Sequence, residues 1–322
     1  MPTSGSRPAS GLTLAVLSAL AFALSGPLAR GLLDTGWSPG AVVSARIGTA
    51  ALIVVPLGAL SLRGRWSLLR RNAPLVVTYG VLAVAGAQFC YFCAVQRLQV
   101  GPALLIEYTA PAVVVVWLWL RHGQRPGPLT LAGTGIAGLG LLAVLDLFSG
   151  ADLDTTGVLW ALGATAGAAS YFVLSADEGN GLPPLALAGG GLLVAAVFLG
   201  ALGAVGALPL RAGAGDVAYG GTSLAWFWPL LALGVVTAAF AYVTGIAAGR
   251  RLGSRLASFV ALLEVVAAVV LAWLLLDELP RPVQLAGGVL VLAGVVVVKL
   301  GERGVRAAPA SPAAEPLPTA TS

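Results

Sequence analysis

Residues 93–144 read CAVQRLQVGPALLIEYTAPAVVVVWLWLRHGQRPGPLTLAGTGIAGLGLLAV, and residues 247–298 read AAGRRLGSRLASFVALLEVVAAVVLAWLLLDELPRPVQLAGGVLVLAGVVVV. A shift of 154 residues lays one on the other. Ala94, Arg97, Leu98 and Ala103 then meet Ala248, Arg251, Leu252 and Ala257. Val115, Val116, Trp119 and Leu120 meet Val269, Val270, Trp273 and Leu274. Pro126, Pro128, Leu131, Ala132, Gly133 and Gly140 meet Pro280, Pro282, Leu285, Ala286, Gly287 and Gly294. Self-similarity at a fixed period marks an architecture built from one repeated unit.

Both copies are far more apolar than a soluble unit tolerates. The chain has 322 residues, 58% hydrophobic and 10% charged, with a mean hydropathy of +0.94, where a soluble domain has about 25% charged residues. That composition excludes a soluble enzyme, a nucleic-acid-binding module and a disordered scaffold. The net charge of +5 comes from 18 basic residues scattered through the chain without forming a basic face. Two cysteines and one histidine exclude a disulfide framework and a His- or Cys-rich metal site.

A helix crossing a bilayer needs about 20 mainly apolar residues. Ten such stretches can be read: 11–30, 39–60, 74–96, 100–120, 128–148, 156–175, 184–206, 226–248, 255–276 and 282–300. Pro39, Pro74, Pro128, Pro184 and Pro282 stand in or beside first turns, where a missing N–H costs little. Trp117, Trp119, Trp226 and Trp228 fall near span ends, as in an aromatic belt. The first span follows a short polar start with Arg7 and is read as uncleaved, because its removal would leave one repeat without a partner. The expected organisation is a cytoplasmic tail over 1–10, a five-helix repeat over 11–148, a second over 156–300 and a disordered cytoplasmic tail over 301–322, rich in Ala and Pro.

With the N-terminus inside, the cytoplasmic segments carry Arg7, Arg63, Arg65, Arg70, Arg71, Arg121, Arg125, Arg250, Arg251, Arg255, Lys299, Arg303 and Arg306. The external segments carry only Arg30, Arg97, Arg211 and Arg281. This bias predicts both termini in the cytoplasm. The acidic pair Asp177 and Glu178 in the inner loop 176–183 counts little in that rule. Five spans per repeat is an odd number, so the halves must cross the membrane in opposite directions. Inverted repeats of this kind recur in secondary transporters, with the substrate site near the midplane between halves.

The two quoted runs resemble the ends of EamA domains of the drug/metabolite transporter superfamily, and the resemblance covers about residues 11–299. It implies an all-α integral membrane protein of ten helices in two inverted EamA-like repeats. It further implies a secondary transporter that exports small metabolites or amino-acid-like solutes across a bacterial cytoplasmic membrane. Two departures stand out. The family's Glu-Pro pair in the ninth span is Glu264-Val265 here, and its loop Glu after the fourth span is Gln124, while Glu278 keeps it in the second half.

Arg46, Glu107 and Glu264 lie well within spans. A charge at a helix centre costs about 2.5–3.5 kcal/mol even on the lenient insertion scale, so each is a functional candidate. Arg46 and Glu107 lie about 10 and 11 Å from the outer ends of spans two and four, a common depth at which they can pair. Glu264 lies about 14 Å from the inner end of span nine, close to the midplane. Tyr91, Tyr108, Tyr171 and Tyr242 bring hydroxyls that need partners in lipid, which favours the bundle interior. Tyr91 and Tyr242 are close to repeat-equivalent. These seven are the candidate substrate- or proton-binding residues; no catalytic residue, metal ligand or cofactor is expected.

Three motifs are set aside. Gly133, Gly135 and Gly138 spell a dinucleotide fingerprint inside an apolar span, where small residues serve helix packing instead. Cys90 and Cys93 form C-x-x-C without further soft ligands. His122 lies in a basic loop, out of reach of intramembrane chemistry. Lys299, at the very end of span ten, is too shallow for a retinal Schiff base. No Walker A motif is present, so ATP is not the direct energy source. A transporter is thus expected, with a channel or lipid scramblase as the alternative and a membrane enzyme disfavoured. The partners expected are the lipid bilayer and a small-molecule substrate, without nucleic acid; a homodimer is left open.

Overall fold

The computed structural model describes residues 6–123, 126–145, 154–175 and 181–306. Gln124, Asp177 and Glu178 lie outside the described residues. The chain is an all-α membrane protein of ten spans: α1 Ser10–Asp34, α2 Pro39–Leu62, α3 Ala73–Val95, α4 Val100–Arg121, α5 Pro128–Val144, α6 Thr155–Ser175, α7 Pro184–Ala204, α8 Phe227–Gly249, α9 Leu263–Leu276 and α10 Pro282–Gly301. Eight are long enough to cross a membrane alone, while α5 and α9 are shorter. Helical geometry continues from α8 as far as Val260 and from α10 as far as Arg306, so residues 249–254, expected as a loop, are helical. Large apolar side chains such as Leu52, Leu120 and Val197 are exposed around the bundle, the surface a lipid solvent requires and water would not tolerate.

The halves pack as an inverted repeat. α1 lies against α8 as α6 lies against α3, α2 packs on its counterpart α7, and α5 on its counterpart α10. The last seam is made by glycine. A Cβ on Gly133 would stand 2.6 Å from the Val298 nitrogen, and one on Gly140 would stand 2.6 Å from that of Val291. Reciprocally, Cβ atoms on Gly287 and Gly294 would meet the Gly140 and Gly133 carbonyls at 2.7 Å each. The backbones touch, as small residues permit in membranes. Gly135 and Gly138 face open space, so only the first glycine of the fingerprint motif serves packing.

The irregular points also repeat. α3 is π-helical over Tyr79–Gly86 and α8 over Val235–Phe240, positions that coincide under the 154-residue shift. α4 breaks at residues 108–109, where Pro111 cannot donate to the Glu107 carbonyl, and Thr109 N donates instead to Ile106 O at 3.1 Å. In the second half the chain turns at 261–262 and Glu264 N donates to Ala261 O at 3.0 Å, although Val265 replaces the proline. Gly123 and Asp277, again equivalent, end α4 and α9 in the left-handed conformation, at φ 64° and 59°.

One element has no counterpart in the sequence reading. Strands β1 Val217–Tyr219 and β2 Thr222–Leu224 form a hairpin around Gly220 and Gly221, both at positive φ, as the favoured two-residue turn requires. Tyr219 Oη donates to Leu28 O at 2.8 Å, and Gly220 N donates to Leu275 O at 2.9 Å. The hairpin thereby ties α1 to α9 on the face opposite the described chain ends.

The seam gives a paired prediction. Gly140→Ala forces a Cβ into backbone and should cost about 1–3 kcal/mol, whereas Gly138→Ala should leave stability unchanged or raise it by about 0.5–1 kcal/mol. Thermal unfolding of the two purified variants in detergent checks this; equal melting temperatures would refute the seam.

Candidate functional site

A cavity of about 410 Å³ opens between the two halves. Arg46, Tyr91, Glu107, Tyr108, Tyr171, Tyr242 and Glu264 all line it, so the fold brings together on one surface every residue singled out in the sequence. Six spans supply them, α2, α3, α4, α6, α8 and α9. Glu107 and Tyr108 stand at the break in α4, and Glu264 stands in the first turn of α9, just past the break before it. Interrupted helices are a recurring way to present groups at the midplane of transporters.

Arg46 is 4% exposed. Its Nη1 donates to Gln88 Oε1 at 2.9 Å and its Nη2 to the Thr237 carbonyl at 3.0 Å. The guanidinium lies 5.5 Å from the Phe92 ring centroid, a cation–π distance. It makes no ion pair with Glu107, which corrects the pairing expected from their common depth. Depth fixes one coordinate, and the azimuths of α2 and α4 turn the arginine toward α3 and α8 instead. The Thr237 carbonyl it uses sits within the π-helical turn of α8, whose bonding pattern differs from that of an α-helix.

Tyr108 Oη donates to Glu264 Oε2 at 2.9 Å and also lies 3.2 Å from Ala261 O. Glu107 lines the cavity without a hydrogen bond from its side chain. Phe22 meets the Tyr242 ring edge-on at 5.4 Å, and Tyr79 tilts against Tyr171 at 5.9 Å, which orients two of the lining tyrosines. Gln88, Ser25 and Phe22 also line the cavity. As sequence, neutral polar residues carry neither the formal charge nor the phenol ring that marks the other seven. Gln88 has a retrievable signal, since it is the repeat equivalent of Tyr242. Among the described residues no His, Cys, Asp and Glu cluster could hold a metal. Cys90 and Cys93 are free thiols, and the Cys90 side chain abuts Gly163.

The lining runs from the middle of the bundle to Ala15, Ala248 and Lys299, toward the face where the described chain begins and ends. The opposite face is closed. Arg30 Nη1 donates to Val95 O at 2.7 Å and Leu98 O at 3.1 Å, its Nε pairs with Asp34 at 3.0 Å, and Glu278 lies 3.9 Å away. Glu278 Oε2 in turn accepts from Val100 N at 2.9 Å, in the first turn of α4. Burial pushes the Glu278 carboxyl up, against the pull of the Val100 amide and Arg30. Arg97 pairs with Asp154 at 2.9 Å beside it. The backbone amide of Gly157 and then Arg97 hold the Asp154 carboxyl below the usual range. This network and the β1–β2 hairpin roof the cavity.

Comparison with known proteins agrees with this architecture. The EamA-like transporter family matches twice, over residues 9–145 and 155–300. The threonine/homoserine exporter RhtA of Salmonella typhimurium (strain SL1344) is 27% identical over 296 residues, covering 89% of this chain and 90% of that protein. Its Escherichia coli (strain K12) namesake is 27% identical over 281 residues, covering 85% and 84%. YicL of Salmonella typhimurium (strain LT2), described as an uncharacterized inner membrane transporter, is 22% identical over 299 residues, covering 91% and 96%. A solved crystal structure 23% identical in sequence shares the fold, with a TM-score of 0.57 over 94% of this chain and 99% of that one. Two matching halves, a ten-helix inverted repeat and a cavity between them that holds charged side chains lead to one conclusion: the chain is a multi-pass membrane transporter, not an enzyme, and belongs to the EamA-like transporter family of the drug/metabolite transporter superfamily.

Proposed function

We propose that this protein is a secondary transporter that exports small amino-acid-like solutes across a bacterial cytoplasmic membrane by alternating access. One observation carries the reading: a cavity between inverted repeats bears a guanidinium and two carboxyls, reaches toward one face and is roofed at the other. The arginine bias supports a cytoplasmic position for the reachable face and for both termini. The conformation is then the one that loads substrate from inside. The relatives named as threonine/homoserine exporters support a solute with both an ammonium and a carboxylate, which a cavity of mixed charge suits. Opening the roof means parting Arg30 from the carbonyls at and just after the end of α3, and Glu278 from the start of α4, a few polar contacts that can be exchanged for water. Glu264, held by Tyr108, is the group that takes a proton in one state and gives it up in the other, coupling export to a driving gradient.

Purified protein in proteoliposomes loaded with L-threonine or L-homoserine should accumulate the radiolabelled solute by counterflow, since only an alternating site exchanges. Equilibration without overshoot would indicate the channel alternative, and no flux of any amino acid would reject the solute class. Glu264→Gln should remain folded in the membrane yet lose net flux or its pH dependence; wild-type rate with an unchanged pH profile would remove Glu264 from the coupling role. With Cys90 and Cys93 replaced by Ala, a cysteine at Leu104 should resist a membrane-impermeant thiol reagent added outside. Adding Glu278→Gln should speed its labelling several-fold, and no change would show that Glu278 does not hold the roof.

A further inference from the structure

The cavity contains polar groups that the protein itself leaves unsatisfied, and they are of opposite kinds. Arg46 is buried with only neutral acceptors, the Gln88 side chain and the Thr237 carbonyl, and its Nε is buried without a partner. The Ser25 hydroxyl, beside the break in α1 at Leu24, lines the same cavity and is likewise buried and unpartnered. A buried guanidinium with five donors and no anion within ion-pair distance is costly, and so is each donor left without an acceptor. Elsewhere on the lining the imbalance reverses. Glu107 presents acceptors with no donor, whereas the acceptor demand of Glu264 is met in part by Tyr108.

We infer that Arg46 and Ser25 form the subsite for the substrate's carboxylate, and that Glu107 receives its ammonium group. This rests on the amino-acid reading above and deepens it by fixing which end of the zwitterion goes where. The Nε edge of a guanidinium matches the two oxygens of a carboxylate, a geometry that lysine does not reproduce. Binding would supply the missing counter-ion to Arg46 and the missing donors to Glu107 at once. Because both charges must be met, a solute with only one of the two groups leaves a buried charge uncompensated. The rest of the wall is largely apolar, from Ala19 and Ala87 to Phe22 and Leu104, so the class is an amino acid with an uncharged side chain.

The test uses the purified full-length protein and three probes: L-threonine, L-threoninamide and 3-hydroxybutyrate, which carry both groups, the ammonium alone and the carboxylate alone. Each is measured by the shift in melting temperature it produces and by competition in counterflow. L-threonine should stabilise the wild type, and the amide should bind at least about tenfold more weakly, the loss of one charged hydrogen-bonding group. Arg46→Gln should abolish that preference, Arg46→Lys should not restore it, and Ser25→Ala should reduce it. Glu107→Gln should weaken L-threonine but leave the 3-hydroxybutyrate shift intact. Should Arg46→Gln fail to fold, the wild-type comparison of acid with amide and the Ser25→Ala variant still decide. An amide that competes as well as the acid, while L-threonine is exchanged, overturns the subsite and leaves the transport reading standing. Carboxylate-dependent stabilisation lost in Arg46→Gln, without exchange of any amino acid, keeps the subsite and rejects the transport reading. No stabilisation of the wild type by either carboxylate overturns the subsite.

Discussion

A formal charge in hydrocarbon is tolerated only where protein surrounds it, at a cost of about 2.5–3.5 kcal/mol near a helix centre even on the lenient scale, and this bundle has to accommodate three. Arg46, Glu107 and Glu264 sit on α2, α4 and α9, and all three side chains turn to a single cavity. That requirement fixes the rotation of three spans and, through Gln88 and Thr237, constrains α3 and α8 as well. The outward surface is left to leucine, valine and tryptophan, which need no partner but lipid. The polar interior and the apolar exterior follow from the same cost.

The second constraint is contact between backbones. Gly133 and Gly140 on α5 meet Gly294 and Gly287 on α10 at distances that exclude any Cβ, so the far ends of the two repeats are clasped directly. α2 and α7 approach similarly, since a Cβ at Gly58 would stand 2.7 Å from Leu185 O. Cavity-lining spans also meet closely, since a Cβ at Gly167 of α6 would stand 2.6 Å from the Ala87 Cα of α3. The cavity-lining spans carry the π-helical turns and the breaks in α1, in α4 and before α9, local departures that leave backbone groups able to take side-chain partners. Glycine seams between counterpart helices and irregular turns at the site suit a protein whose halves rock about a central site.

Much of this was legible in the residues. Composition and span length gave the membrane class, the 154-residue repeat gave the inverted halves, and the cost of buried charge selected residues that share one cavity. Limits arose where one-dimensional signals meet three-dimensional geometry. Depth placed Arg46 level with Glu107 but could not report azimuth, and the arginine turned to Gln88. Gln88 and Ser25 carry no formal charge, so hydropathy gave no reason to choose them. Proline explained the break in α4, whereas the equivalent break before α9 forms with Val265 in its place and left no sequence mark. The hairpin around Gly220 and Gly221 has strands of only three residues each, too short for an alternating pattern to show.

The central claim is that the two faces of the bundle open in alternation around one site. Distances between spin-label pairs, measured by double electron–electron resonance in reconstituted protein, test it most directly. One pair at Gln96 and Leu279 spans the closed mouth, and one at Leu12 and Ser175 spans the open one, all four positions being exposed. Under conditions that drive turnover, the first distance should lengthen as the second shortens, with two populations whose weights change together. Unchanged distances at both mouths, or both mouths widening at once, would contradict alternating access.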